Sequence, residues 1–240
     1  MRDRCDAGVV LYRQRPSSVG GAVVWSLTVS PAGAARVLPD GCMDLILLGG
    51  ELCIAGPDTR SHVPTVTAGD VVTGIRFPPG VAPAVLGLPA DELRDLRLPL
   101  ADVWGAGTGR RLSERLTAAP DAGRVLERIA AHRLRTARPD PLAAFVAGQL
   151  DGGERVAQLA RTVGLSDRQL HRRCLRAFGY GPKTLARILR MRRALDSARA
   201  GTPPADVAVE TGYADQAHLS REIKALAGVP LSALLPTSDG

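Results

Sequence analysis

The sequence predicts an α+β chain in three parts. A small antiparallel β-barrel over 1–105 comes first, then a helical connector over 106–138. An all-α domain over 139–240 follows, built from two helix-turn-helix motifs joined by a linker helix. Three observations predict this. A degenerate repeat fills the last third of the 240 residues. Short apolar runs punctuated by Gly, Pro and Asp occupy about 22–88. Helical spacing replaces that texture beyond about 89.

Residues 1–20 are polar, with Pro16, Ser17, Ser18, Gly20 and Gly21, and read as a lead-in or loop. The apolar runs 23–29, 43–48, 51–54 and 71–77 are then bounded by turn signals: Pro31-Ala32-Gly33, Pro39-Asp40-Gly41, Gly56-Pro57-Asp58 and Pro78-Pro79-Gly80. Strands at such regular spacing predict an antiparallel barrel or sandwich. Gly49-Gly50, between two of the runs, predicts a tight hairpin, because glycine alone enters positive φ without strain.

Pro89-Ala90-Asp91-Glu92 has the composition of a helix start, where a missing N–H costs little and the dipole favours acids. Helical spacing covers 106–118 and 121–136. In the second stretch Val125, Leu126, Ile129 and Ala130 share one face, which either covers the barrel or meets a second subunit. Arg138-Pro139-Asp140-Pro141 breaks the pattern and marks the domain boundary.

Beyond it everything reads helical. A helix over 141–150 is stopped by Gly152-Gly153. Helices over 154–163 and 166–178 form the first motif, and Ser166-Asp167-Arg168-Gln169 is a capping box. A long helix over 184–200 buries Leu185, Ile188, Leu189, Leu195 and Ala198 and turns Arg187, Arg190 and Arg193 away. Helices over 205–211 and 215–227, the last ended by Gly228, form the second motif. Ala160 pairs with Ala208 and Gly164 with Gly212. After a one-residue insertion, Leu170 pairs with Leu219, Arg172 with Arg221 and Gly179 with Gly228. Two such units in series fit one polypeptide entering two successive major grooves.

The formal charge of +7 suits a polyanion partner without identifying one. Its distribution says more: 152–200 holds twelve Arg and Lys against three Asp and Glu, concentrated around the first motif. The four cysteines, Cys5, Cys42, Cys53 and Cys174, form no CxxC pair. With no secretory leader and no apolar run of membrane-spanning length, the chain is expected to be cytoplasmic, with reduced thiols and no membrane partner.

The block 156–234 resembles the DNA-binding domain of the AraC/XylS family of bacterial transcription regulators, and the resemblance extends from Pro141 to near Leu235. It rests on Leu159-Ala160, Gly164-Leu165-Ser166, Leu170, Arg172 and Gly179-Tyr180-Gly181-Pro182, then on the linker Arg190-Met191-Arg192-Arg193-Ala194. The second half adds Gly212-Tyr213-Ala214-Asp215-Gln216-Ala217-His218-Leu219-Ser220-Arg221 and Gly228-Val229-Pro230. It implies double-stranded DNA as partner, and RNA polymerase as well if the protein activates. Base edges fall to Arg168, His171 and Arg172 in the first motif and to Gln216, Ala217, Ser220 and Arg221 in the second. Ser166, Lys183, Arg187 and Arg193 are expected at phosphates. The chain departs from the family in three places. Ala214 stands where a Ser or Thr cap is frequent, so Asp215 is expected to cap. Leu219 and Ile223 stand where Phe is usual. Ala217 offers only a methyl group, so the second motif is expected to read less.

Residues 37–46, Gly56-Pro57 and 74–80 resemble the amino-terminal domain of one subgroup of AraC-like proteins. This implies a cupin-like barrel that binds a small effector, forms a homodimer, or does both. Trp25, Cys42 and Asp44 are the effector-binding candidates. Each has a plainer reading: Trp25 as core, Asp44 pointing outward, and Cys42 and Cys53 as small buried hydrophobes. Two alternatives stand beside the sensor. In one, the barrel only dimerises and the regulator needs no ligand. In the other, an enzyme is fused to a DNA-binding domain, but His62 and His132 are too few for a cupin metal site and no nucleophile–base set is evident. Neither a cofactor nor catalysis is expected.

Overall fold

The computed structural model describes residues 10–30 and 36–235. Cys5 and the Pro31-Ala32-Gly33 turn signal lie outside them. The N-terminal half is a six-stranded antiparallel sheet of β1 (Val10–Pro16), β2 (Val23–Val29), β3 (Met43–Leu48), β4 (Glu51–Ala55), β5 (Val71–Phe77) and β6 (Arg97–Pro99), in the order β1-β2-β5-β3-β4-β6. The four predicted runs are all strands. Gly49 and Gly50, at φ 57° and 80°, make the expected two-residue turn between β3 and β4.

Three expectations are corrected. The lead-in is strand β1 from Val10 onward, paired with β2 from Val10↔Val29 to Pro16↔Val23. The helix expected from Pro89 is a single 3-10 turn at Ala90–Glu92. It ends because the chain reverses at Asp95 (φ 58°), whose carboxylate accepts from the Thr59 amide and hydroxyl, and then enters β6 beside β4. The barrel is an open sheet among the described residues, with β1 and β6 as its two edges. Helices do the sealing that closure would have done.

Those helices are α1 (Ala82–Leu86), α2 (Leu100–Trp104), α3 (Ala106–Thr117) and α4 (Ala122–Thr136). By register Val24, Leu45, Ile54 and Ile75 share one face of the sheet, and they join Leu116, Val125, Leu126 and Ile129 in one buried core. Each such fully buried aliphatic is worth about 1.5–3 kcal/mol. The apolar face of α4 is therefore spent on its own sheet and is not a subunit surface. Glu127 on α4 is tied to β1: Arg15 donates from Nη1 and Nη2, both at 2.9 Å, and the Ser18 amide adds a third bond.

A second core belongs to α5 (Pro141–Asp151), α6 (Val156–Thr162), α7 (Asp167–Phe178), α8 (Pro182–Arg199), α9 (Pro204–Thr211) and α10 (Gln216–Ala227). Helix α8 is its spine. Leu185, Ile188, Leu189, Leu195 and Ala198 are buried as their spacing predicts, with Met191 and Ala194 added. Asp140 caps α5 through the Leu142 amide, so the predicted break is also a helix start. Among the described residues no helix is long and apolar enough to cross a membrane.

Candidate nucleic-acid interface

The sequence repeat is a repeat of hydrogen bonds. In the first motif the Leu165 amide donates to Ala160 O at 3.0 Å and the Gly164 amide to Arg161 O at 3.1 Å. In the second the Tyr213 amide donates to Ala208 O at 2.8 Å and the Gly212 amide to Val209 O at 3.2 Å. Gly164 and Gly212 occupy left-handed φ of 64° and 78°, the helix-ending geometry that lets the chain turn into the second helix. Each second helix then starts on a side-chain cap three residues back. Ser166 accepts from the Gln169 amide while Gln169 reaches back to the Ser166 amide, completing the capping box. Asp215 accepts from the His218 amide, taking the capping role as expected.

Helices α7 and α10 thus present equivalent faces. Leu170, Cys174 and Phe178 bury one side of α7; Leu219, Ile223, Leu226 and Ala227 bury one side of α10. Arg168, His171, Arg172, Gln216, Ala217, Ser220 and Arg221 are exposed, on the outer sides. Arg168, Arg172 and Arg221 make no ion pair or side-chain hydrogen bond among the described residues, so their donors stay available. The His171 ring lies against Gly181, where a Cβ would come within 2.5 Å of it.

The four phosphate candidates divide. Lys183 is exposed and unpaired among the described residues. Ser166 spends its hydroxyl and amide within the capping box. Arg187 grips Glu222 on α10 with Nε at 2.7 Å and Nη2 at 3.2 Å. Arg193 donates to the carbonyls of Leu150 and Asp151 on α5, and neighbouring Arg192 meets the Asp151 carboxylate at 2.6 Å. Arg190 lies over the Tyr213 ring, 5.3 Å from its centroid. The arginines of α8 therefore hold α5 and the second motif to the spine.

The three effector candidates sit in one network. Trp25 Nε1 donates to Asp44 Oδ1 at 2.6 Å, and Arg76 Nε lies 3.3 Å from the same oxygen. Arg76 also faces Asp40, whose carboxylate accepts from the Cys42 amide. Asp44 lies on the face of the sheet opposite Leu45 and the helix-covered core, yet is only 8% exposed. Burial pushes its carboxyl above the usual range against the pull of Arg76, and burial pushes the Cys42 thiol well up. A thiol so raised stays protonated, opposite to what a thiolate sensor needs. Among the described residues no three His, Cys, Asp or Glu side chains converge to hold a metal.

A family model described as a helix-turn-helix domain matches residues 159–236. The last third of this chain is a helix-turn-helix domain of the AraC type. A second family, described as a domain of unknown function (DUF6597), matches residues 22–99. No curated protein matches the chain. Among solved structures it is similar to ToxT of Vibrio cholerae. An apo point variant from strain SCE256 gives 11% identity and a TM-score of 0.48, covering 96% of this chain and 98% of that one. ToxT of strain O395 gives 10% and 0.48, with 95% and 99% covered. Wild-type ToxT bound to an unsaturated fatty acid gives 10% and 0.45, with 99% of each chain covered.

What the sequence reading missed is how the AraC-type domain meets the sheet domain. Arg172, Arg173 and Arg176 of α7, with Arg138, line a groove of about 560 Å³ whose other wall includes Pro83, Ala84, Leu88 and Pro89. Asp140 also lines the groove and meets Arg173 at 3.7 Å; the other arginines form no ion pair among the described residues. The dense Arg172–Arg176 run was a visible signal. The apolar wall, about 83 to 93 residues upstream of that run, gave none.

Proposed function

We propose that this protein is a sequence-specific transcription regulator whose α7 and α10 enter successive major-groove segments on one face of DNA, about one helical turn apart. The matched pair of turn and cap geometries supports this above all, since it presents two helix faces with unpaired arginines at equivalent positions. Arg168, His171 and Arg172 read bases from α7, with Arg gripping guanine O6 and N7. Gln216, Ala217, Ser220 and Arg221 read from α10. Lys183 meets phosphate directly. Ser166 and Arg187 act chiefly by holding the motifs in place and Arg193 by holding α5 to the spine, and all three reach phosphate only by exchanging their present partners.

The N-terminal domain governs this activity by binding a small effector or by pairing with a second copy. The groove beside Arg172 supports the sensor reading, because a ligand there alters the surroundings of a base-reading arginine. The ligand-independent reading draws on one observation: Trp25 and Asp44 already satisfy each other.

Selection of bound genomic fragments followed by footprinting tests the proposal. The expected footprint is two protected major-groove segments about ten base pairs apart. Arg172→Ala should weaken binding about 5- to 150-fold, the equivalent of about 1–3 kcal/mol for one bidentate base contact, with preference relaxed at one position. Uniform, salt-sensitive binding with no footprint refutes the proposal.

A further inference from the structure

The two reading helices are both held at their C-terminal ends, and a single short loop of the N-terminal domain reaches each of them. At α7, Arg94 Nη1 donates to Gly179 O at 3.3 Å, and Pro57 packs so closely that a Cβ on Gly179 would fall 2.5 Å from its Cγ. At α10, the Ser61 amide donates to Leu226 O at 2.9 Å and the Ser61 hydroxyl to Ala227 O. Arg36 Nη1 donates in turn to Ser61 Oγ at 3.1 Å. These acceptors are carbonyls that a helix leaves unsatisfied at its C-terminus, where donors and positive charge are favourable. Four peptide steps separate Pro57 from Ser61, so the loop spans at most about 14 Å. Its shape is fixed from outside: Arg97 holds Asp58 at 2.7 Å and Asp95 holds Thr59.

Each helix is packed along one side on the helical core, so a shift imposed at its C-terminal end tilts it as a rigid body. Each has twelve residues, so each is about 18 Å long. Base contacts lie at the far, N-terminal end. A tilt of about 10° about the held end therefore moves the reading end about 3 Å, close to the 3.4 Å step between base pairs. Small differences at the loop become whole base-pair differences at DNA.

We propose that Ser61 and Arg94, on the Pro57–Ser61 loop and beside it, are positioning residues that set the distance between the two reading ends, and so the operator spacing the protein accepts. This rests on the DNA-reading function proposed above. It assigns the N-terminal domain a part in specificity that requires no ligand. The loop touches no DNA; it acts through the two helices.

The test uses the full chain and a duplex series in which the two footprinted segments are moved apart in single base-pair steps around ten. The wild type should show one optimum, with affinity falling about tenfold for a one-step change, as when one reading helix loses a base pair of register. Ser61→Pro, which removes the amide donor as well as the hydroxyl, combined with Arg94→Ala should flatten that fall to about twofold, while binding to either segment alone stays unchanged. An unchanged spacing profile overturns the inference and leaves the regulator reading intact. Hydrogen exchange on the wild type provides a second reading, independent of whether the double variant folds and of whether DNA binds. The Ser61 amide should be protected as strongly as amides of the α8 core; free exchange overturns the inference. A wild type that binds DNA without spacing preference overturns it as well, whereas absence of any sequence preference is the failure of the DNA-reading function itself.

Discussion

Glu127→Gln cuts the tie between α4 and edge strand β1. Glu127 is 7% exposed and accepts from Arg15 twice and from the Ser18 amide once. These bonds, the Arg15 pair first, hold its carboxyl down from 4.5 to about 2. A depression of that size caps the stabilisation at about 3.4 kcal/mol. The Arg15 side chain is 44% exposed, so water screens the pair and takes over its donors when the partner goes. The expected loss at pH 7 is therefore about 1–2 kcal/mol. The sign of the pH dependence is fixed, because a depressed carboxyl adds stability above its unfolded value and loses it on acidification. Wild type should exceed the variant fully above about pH 5 and converge with it between 4.5 and 2. Urea titrations of both proteins at pH 7, 5 and 3.5, compared at equal m-value, measure this. A gap that widens as pH falls, or no gap at pH 7, would refute the reasoning.

Ser166→Ala removes the capping box that starts α7; it should cost about 1 kcal/mol in a denaturant titration and weaken operator binding more than nonspecific binding. Gly74→Ala places a Cβ 2.5 Å from the Trp25 ring, which its bond to Asp44 keeps from retreating. It should cost at least about 1–3 kcal/mol and shift the tryptophan emission, and an unchanged emission and midpoint would contradict the packing described. The Cys42 thiol, held protonated by burial, should resist alkylation at pH 8 in the folded protein and react at once in urea; rapid modification of the native protein would restore the sensor reading for that residue.

Much of this was legible in the residues themselves. Strands β2 to β5 came from apolar runs and turn residues, and α7 and α10 from 3.6-residue spacing with a cap at one end and a glycine at the other. The two motifs were visible because turns and caps depend on residues within about five positions of one another, as Leu165 with Ala160 and Ser166 with Gln169 show. Strand β1 was missed because an edge strand pairs on one side only and tolerates Arg13, Gln14 and Arg15 where a central strand does not. Strand β6 has three residues and exists only because β4 is there to pair with it.

Tertiary structure alone decided where charges go. Nothing near Arg187 in the sequence names Glu222, 35 residues on, and nothing near Arg193 names the carbonyls at the end of α5. A long arginine side chain has several exits from its helix, and its partner is chosen by whichever element packs alongside. Asp44, on the sheet face opposite the core, is likewise buried because Arg76 from adjacent β5 and Trp25 from β2 beyond it meet it there. The residues determined that there are two reading helices and which sides they expose. Only the packed chain brought Ser61 and Arg94 to the ends of those helices, because contacts between distant segments follow from how two cores dock, and docking leaves no periodic trace along the sequence.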